Sequence, residues 1–457
     1  MDLRGVATPG THSRRTGRKP EYAQYEGFQP ARREHAPDAA PSSTEIHQKP
    51  PGRPDAVPRP PSSRARTAVT RAVVRRALER LPLRARFADG TSAGLGGPVV
   101  EIHDPAAFHG RIGAQGLIGF GESYMAGEWD APDLTAALTV FAGNAARLVP
   151  APLQRLRGLW ATRRPDAQRN TPTGARDNIS RHYDLSNDLF ALFLDDTLSY
   201  SAALFDGFPA TWPLLAAAQH RKIDRLLDLA GVGPGTHLLE IGTGWGELAI
   251  RAAARGARVT SLTLSREQRA LARERVREAG LDGRVSVELR DYREATGTYD
   301  AVVSVEMIEA VGEEFWPVYF TTLDARLAPG GRAALQAITM PHDRMLASRD
   351  TFTWIQKYVF PGGLLPSVEA VEEVTRAHTG LRVTRRDAFG THYAETLRLW
   401  RERFTERADE VAALGFDETF RRMWTFYLAY SEAGFRSGYL DVQQYLLTKE
   451  PEEDRTP

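Results

Sequence analysis

From residue 236 onward, short apolar runs alternate with longer amphipathic stretches. The runs 236–242, 258–264, 284–290, 299–307 and 331–339 are rich in Val, Leu, Ile and Ala and poor in charge. Between them lie 246–256, 266–280 and 313–327, where apolar residues recur at helical spacing. Strands apolar on both faces and separated by helices predict a parallel sheet covered on both sides. Right-handed crossovers then make a doubly wound α/β domain. The C-terminal part adds a strand-like 381–388, helices over 391–413 and 417–434, and a last strand-like stretch from Val442 to Thr448.

The first third is patterned differently. Val69, Val73, Val74, Ala77, Leu78 and Leu81 make one helix face, flanked by Arg71, Arg75, Arg76, Arg80 and Arg84. A basic amphipathic helix suits a membrane surface, and it also suits a helix packed on its own domain. A strand follows over Pro98–His103. Gly116–Asp130 mixes glycine, aromatics and acids without a clean period and reads as a structured turn. Residues 161–176 are polar and read as a linker, and Asn178–Leu194 reads as a helix. The expected organisation is therefore a tail over 1–66, a small domain over 67–160, the linker 161–176 and a main domain over 177–457.

Composition narrows the chemistry. Eleven of the 29 prolines precede residue 62, among repeated arginines, and such a tract buries too little apolar surface to fold. The formal net charge of +1 gives no push toward nucleic acid. The absence of cysteine excludes disulfides, thiolate metal sites and a thiol nucleophile. No signal-peptide core or membrane-span run is evident, so a cytoplasmic protein is expected.

The most telling motif is Glu240-Ile-Gly242-Thr-Gly244-Trp245-Gly246, a glycine turn between a strand and a helix. Glycines let the backbone turn tightly and approach a ligand closely. In a dinucleotide fingerprint such a turn feeds pyrophosphate to a helix N-terminus. An acid at 240 would repel that group and suits a ligand with a positive charge and ribose hydroxyls, which points to S-adenosylmethionine. The turn could also be a plain strand-to-helix connection. The tips of the following strands carry Thr263, Leu264 and Gln268, then Asp291 and Tyr292, a partner and an aromatic face for adenine. Val305-Glu306-Met-Ile-Glu309 places two acids on one turn, where one acid alone would serve as a helix cap worth about 1 kcal/mol.

From about Gly116 to Thr448 the chain resembles the cyclopropane-fatty-acyl-phospholipid synthases, relatives of the mycolic acid cyclopropane synthases. The segments that carry the resemblance include Gly119-Phe-Gly-Glu-Ser-Tyr-Met125, His182-Tyr-Asp-Leu-Ser-Asn-Asp188, Tyr200-Ser201-Ala-Ala, the glycine turn, Leu262-Thr-Leu-Ser, Val303-Ser-Val-Glu-Met-Ile-Glu309, Lys357-Tyr-Val-Phe-Pro-Gly-Gly and Phe426-Tyr-Leu. The resemblance implies a class I methyltransferase fold with a seven-stranded sheet whose final strand is antiparallel, plus an N-terminal lipid-binding domain. It implies S-adenosylmethionine held by Tyr200, Ser201 and the strand-tip residues above. The reaction it implies is methyl transfer to a cis double bond in a phospholipid acyl chain, at the inner face of a membrane and without a metal.

A dry, aromatic pocket is needed to carry the resulting carbocation. Phe190, Phe193, Tyr200, Phe205, Tyr358, Phe360 and Tyr393 are its candidate lining. In the family a bound bicarbonate takes the proton. Its cage maps onto Glu309, Tyr393 and the backbone of Ile338, while the cage histidine becomes Gln336, the cysteine becomes Ala202 and the His after the acid becomes Ala310. A cyclopropane is the first product expected. The alternative is a methylene lipid, from which a separate reductase makes a mid-chain methyl branch. A small-molecule methyltransferase and a silent lipid-binding protein are the more distant readings. A homodimer is one assembly left open.

Overall fold

The structure is a computed structural model that describes residues 57–449 apart from 62, 145–164, 166–167, 172–173, 176–177, 179–185 and 350. The tail as far as residue 56, most of the linker and the His182-Tyr-Asp-Leu motif lie outside the described residues.

Strands β1 (Arg84–Phe87), β2 (Ser92–Ala93), β3 (Val99–Ile102) and β4 (Trp129–Asp130) form a sheet in the order β2-β1-β3-β4. The main sheet is built from β5 (His237–Ile241), β6 (Arg258–Thr263), β7 (Val285–Leu289), β8 (Tyr299–Val305), β9 (Leu327–Thr339), β10 (Leu381–Ala388) and β11 (Asp441–Lys449). Its order is β10-β11-β9-β8-β5-β6-β7, and β11 runs antiparallel to both of its neighbours. This is the expected seven-stranded α/β sheet.

Residue-by-residue alternation explains why the strands are apolar throughout. Leu238, Ala301 and Val303 pack on one face with the helices Leu215–Ala230, Glu247–Ala254 and Arg266–Glu278. Leu239, Ile241 and Val302 pack on the other face with Trp316–Arg326 and Val368–His378. Both faces are dry, so each fully buried Leu contributes roughly 1.5–3 kcal/mol.

A third apolar cluster joins Val100, Trp129 and Leu138 to Trp400, Phe426 and Tyr393. The long helices Gly390–Glu406 and Glu418–Arg436 supply much of it.

Three expectations change. Gly116–Asp130 is not a turn: Leu117–Met125 is an α-helix. It shows no amphipathic period because it is buried nearly all round. Its glycines allow close approach, since a Cβ on Gly119 would lie 2.1 Å from the Arg111 carbonyl oxygen and one on Gly121 2.5 Å from Trp354. The basic helix begins at Arg64, capped by Ser63, earlier than the tail composition suggested. Just before it, the carbonyls of Val57 and Pro58 accept hydrogen bonds from the buried Arg111 guanidinium. Finally, Gln168 and Asn170 in the expected linker are buried, and Asn170 donates to the Gly362 carbonyl at 3.0 Å. Polar composition reads as a linker when its partners are backbone groups invisible to pattern.

Candidate active site

The carboxyl ends of β5, β6 and β8 open on one cavity, as expected for a doubly wound sheet. At the end of β5, Gly242, Gly244 and Gly246 all take positive φ (99°, 53° and 93°), where a side chain would be strained. A Cβ on Gly242 would also fall 2.7 Å from Met307 Cγ, whereas one on Gly244 would meet nothing within 4 Å. The first glycine is thus required by packing, and the second leaves backbone open toward the cavity.

The cavity is lined by Tyr200, Ser201, Glu240, Gly242, Gly244, Trp245, Thr263, Leu264, Gln268 and Tyr292. Two expected residues do not line it. Gly246 closes the turn against Ala272. Asp291 binds Arg293, with Oδ2 2.7 Å from Nη2, so its carboxylate is engaged within the protein. A second hollow lies beside β1 and β2, with Arg84 and Arg86 as its charged lining. The acids Glu240 and Glu306 and the buried Lys222 line the cavity at the carboxyl ends of the strands.

Glu240 accepts a hydrogen bond from Ser261 Oγ at 2.5 Å, and burial pushes its carboxyl up to about 8. A cation brought beside it would favour the ionised form. Thr263 donates to Gln268 Oε1 at 3.1 Å, placing neutral polar groups at the end of β6. Trp245 Nε1 donates to Asn187 Oδ1 at 2.8 Å, which ties the glycine turn to the helix Asn187–Phe193.

Beyond β8 the chain makes a tight turn in which Glu306 adopts a φ of 50°, unusual for a residue with a side chain. Its Oε1 accepts from the Ala202 backbone N–H at 2.9 Å and from Gln336 Nε2 at 2.8 Å. Its Oε2 accepts from the Tyr393 hydroxyl at 2.7 Å. Glu309, one helical turn on, accepts from the Ile338 N–H at 2.5 Å, while its Oε2 is buried without a partner.

Burial raises both carboxyls. The three donors and the charge of Lys222 oppose the rise at Glu306, whereas the Glu306 charge adds to burial at Glu309 and takes it to about 8. Glu306 is half-buried and lines the cavity. The environments separate the two acids: Glu306 is fitted as the ionised member and Glu309 as the protonated one.

The expected residues Glu309, Tyr393, Gln336 and Ile338 come together, and Tyr393 and Gln336 bond Glu306, the other acid of the same turn, while Ile338 bonds Glu309. Two more participants were missed. Lys222 is buried, donates to Ser201 Oγ at 2.6 Å and lines the cavity; burial lowers its pKa to about 8 against the pull of Glu306 and Asp195. Gln444 donates to Gln336 Oε1 at 3.0 Å, which fixes the Gln336 amide with its nitrogen toward Glu306. A lysine at 222 is concealed in an ordinary amphipathic helix, and Gln444 sits in a strand far along the chain.

The aromatic expectation divides. Phe190, Phe193 and Phe205 are core. Tyr200 bonds Tyr427 through their hydroxyls at 2.7 Å and tilts against Trp400. Phe360 meets Tyr427 edge-on. Tyr358 donates to Glu122 instead.

A glycine cradle, a buried acid before it and polar strand tips around one cavity define an S-adenosylmethionine-dependent methyltransferase. A family model described as mycolic acid cyclopropane synthetase matches residues 170–445. The chain is 58% identical over 401 residues to the tuberculostearic acid methyltransferase UfaA1 of Mycobacterium tuberculosis, covering 86% of this chain and 94% of that one. It is 32% identical over 355 residues to the cyclopropane-fatty-acyl-phospholipid synthase of Escherichia coli, covering 77% of this chain and 87% of the other. Among solved structures, the cyclopropane synthase MmaA2 of M. tuberculosis superposes with a TM-score of 0.55 at 35% identity, over 60% of this chain and 98% of that one. CmaA1 complexed with SAH and CTAB superposes with a TM-score of 0.55 at 33% identity, over 60% and 98% of the two chains. The chain belongs to the mycolic acid cyclopropane synthetase family.

Proposed function

We propose that this enzyme methylates the cis double bond of an unsaturated phospholipid acyl chain and leaves a methylene group, the precursor of a mid-chain methyl branch. The observation that carries the choice of product is the 58% identity, over 94% of its length, to a relative named as a methyltransferase of tuberculostearic acid. Identity to the relatives named as cyclopropane synthases is 32–36%. The second reading is a cyclopropane, favoured by those same names; both products come from one carbocation.

Residues 177–457 act as the methyltransferase and 67–160 as a lipid-binding unit. The cofactor supplies a methyl group on a positively charged sulfur. Glu240, Thr263, Gln268 and the open backbone at Gly244 hold it, with Tyr200, Ser201, Trp245 and Tyr292 closing the cavity. An alkene is a weak nucleophile, so orientation matters, and holding the partners together can contribute ~7–11 kcal/mol. Tyr200 lines the cavity and is backed by Trp400 and Tyr427, with Phe360 against Tyr427, an aromatic surround suited to a carbocation.

Among the described residues no helix is long and apolar enough to cross a membrane. The exposed arginines of Arg64–Leu78 suit reversible contact with the anionic inner face. A separate reductase would complete the branch.

Incubation with labelled S-adenosylmethionine and oleoyl phospholipid vesicles tests the reading. Label should enter the acyl chains with a mass gain of one CH2, and ozonolysis should cleave the product at a methylene. Ozone-resistant labelled chains would establish the cyclopropane instead, and unlabelled lipid would overturn both.

A further inference from the structure

Relatives of this chain are expected to hold a bicarbonate ion as the base, and the cage residues here do not leave that anion its donors. The Ala202 N–H, the Gln336 amide and the Tyr393 hydroxyl converge at 2.9, 2.8 and 2.7 Å on the carboxylate of Glu306. That is the complement an oxyanion with two accepting oxygens requires, and the protein's own side chain already supplies the oxyanion.

The backbone shows that the placement is imposed. Glu306 reaches the cage from a left-handed conformation (φ 50°) that disfavours a residue with a Cβ. The Glu306 N–H also donates to the Gln336 carbonyl at 2.7 Å, so turn and cage are locked together. Lys222, buried alongside, provides positive charge that favours the carboxylate form.

We infer that Glu306 is a built-in replacement for bicarbonate, the resident base that removes the final proton in this enzyme. The inference rests on the alkene methylation proposed above. In that reaction the alkene π pair forms the new carbon–carbon bond, the carbon–sulfur pair stays on sulfur, and a cation is left on the acyl chain. A hydride shift moves the cation to the methyl-bearing carbon. A methyl C–H pair then becomes the methylene double bond, and its proton passes to a Glu306 oxygen. Without the shift, the same pair would close a ring and the same oxygen would take the proton. Glu306 lines the same cavity as the glycine turn, which places the residue beside the space where the cofactor would deliver its methyl group.

The test uses the full chain in carbon-dioxide-free buffer, with and without added bicarbonate. Turnover of the wild type should be unchanged by bicarbonate, and a titration with 13C-bicarbonate followed by NMR should show no binding. Glu306→Gln should lower kcat at least ~100-fold, the scale of a lost general base, while S-adenosylhomocysteine affinity stays within about twofold. Glu306→Gly should gain bicarbonate binding and recover part of its turnover when the ion is added. Bicarbonate binding by the wild type, or wild-type turnover that falls when the ion is removed, would overturn the inference, as would full turnover in Glu306→Gln. The binding arm is independent of the substrate. A wild type that leaves oleoyl lipid unlabelled and still excludes bicarbonate would refute the substrate reading while keeping the filled cage.

Discussion

Tyr393 donates its hydroxyl hydrogen to Glu306 Oε2 at 2.7 Å, joining the helix Gly390–Glu406 to the turn after β8 across 87 residues of sequence. Its neighbours make the bond consequential. The phenol is buried, and burial together with the Glu306 charge holds it well above its ordinary pKa, so it remains a donor at every pH at which the enzyme works. Tyr393→Phe should retain the fold and lower kcat by roughly 10-fold or more, the worth of one hydrogen bond to a charged group at about 1.5–3 kcal/mol. Unchanged kcat in steady-state assays would remove the tyrosine from the site.

Gln444 acts one step further out. By accepting neither product nor cofactor but holding Gln336 Oε1 at 3.0 Å, it keeps the Gln336 nitrogen toward Glu306. Gln444→Leu should lower kcat by about 10-fold with little change in KM for S-adenosylmethionine; it also frees the Lys222 carbonyl and the Arg225 guanidinium, so a lower melting temperature accompanies the loss. A change confined to KM would place the effect elsewhere.

Gly244 gives a test of the cofactor cradle. It holds a φ of 53° with open space where a Cβ would point. Gly244→Val introduces both backbone strain and bulk into that space. Isothermal titration should show S-adenosylhomocysteine binding weakened by ~100-fold, with the melting temperature reduced far less than a core substitution would reduce it. Retained affinity would mean that the ligand does not approach this backbone.

Stability should respond to pH through Glu309. Its carboxyl is raised to about 8 in the folded protein against the ordinary value of 4.5. Between those values the folded state holds a proton that the unfolded chain releases, so this contribution is full below about 4.5 and is lost as pH rises through about 8. Glu309→Gln keeps the neutral shape and should melt higher than the wild type at pH 8, with a flatter dependence on pH. Parallel melting curves for the two proteins across that range would show that Glu309 is not a buried neutral acid.

The basic helix Arg64–Leu78 can be examined by charge reversal. Arg71, Arg75 and Arg76 are exposed. Near an anionic surface each is worth about 1 kcal/mol, so reversing all three should weaken sedimentation with anionic vesicles by at least ~10-fold. Binding that survives reversal would assign the helix to packing alone.

The α/β sheet could be read along the chain, because strands buried on both faces must be apolar at every position and helices between them must show a period. So could the cofactor cradle, since a glycine turn behind an acid is local chemistry written in consecutive residues. Glu309, Gln336, Ile338 and Tyr393 were legible through resemblance. The helix Leu117–Met125 was not, because an element buried on nearly all sides has no polar face to give it a period. Which acid the cage holds is set by the fold. Glu306 meets Ala202, Gln336 and Tyr393 from three distant segments, and the left-handed φ that aims it is a property of the folded turn. Lys222 and Gln444 were concealed for the same reason: their roles exist only where buried groups from remote strands and helices converge, and no pattern along the chain records that meeting.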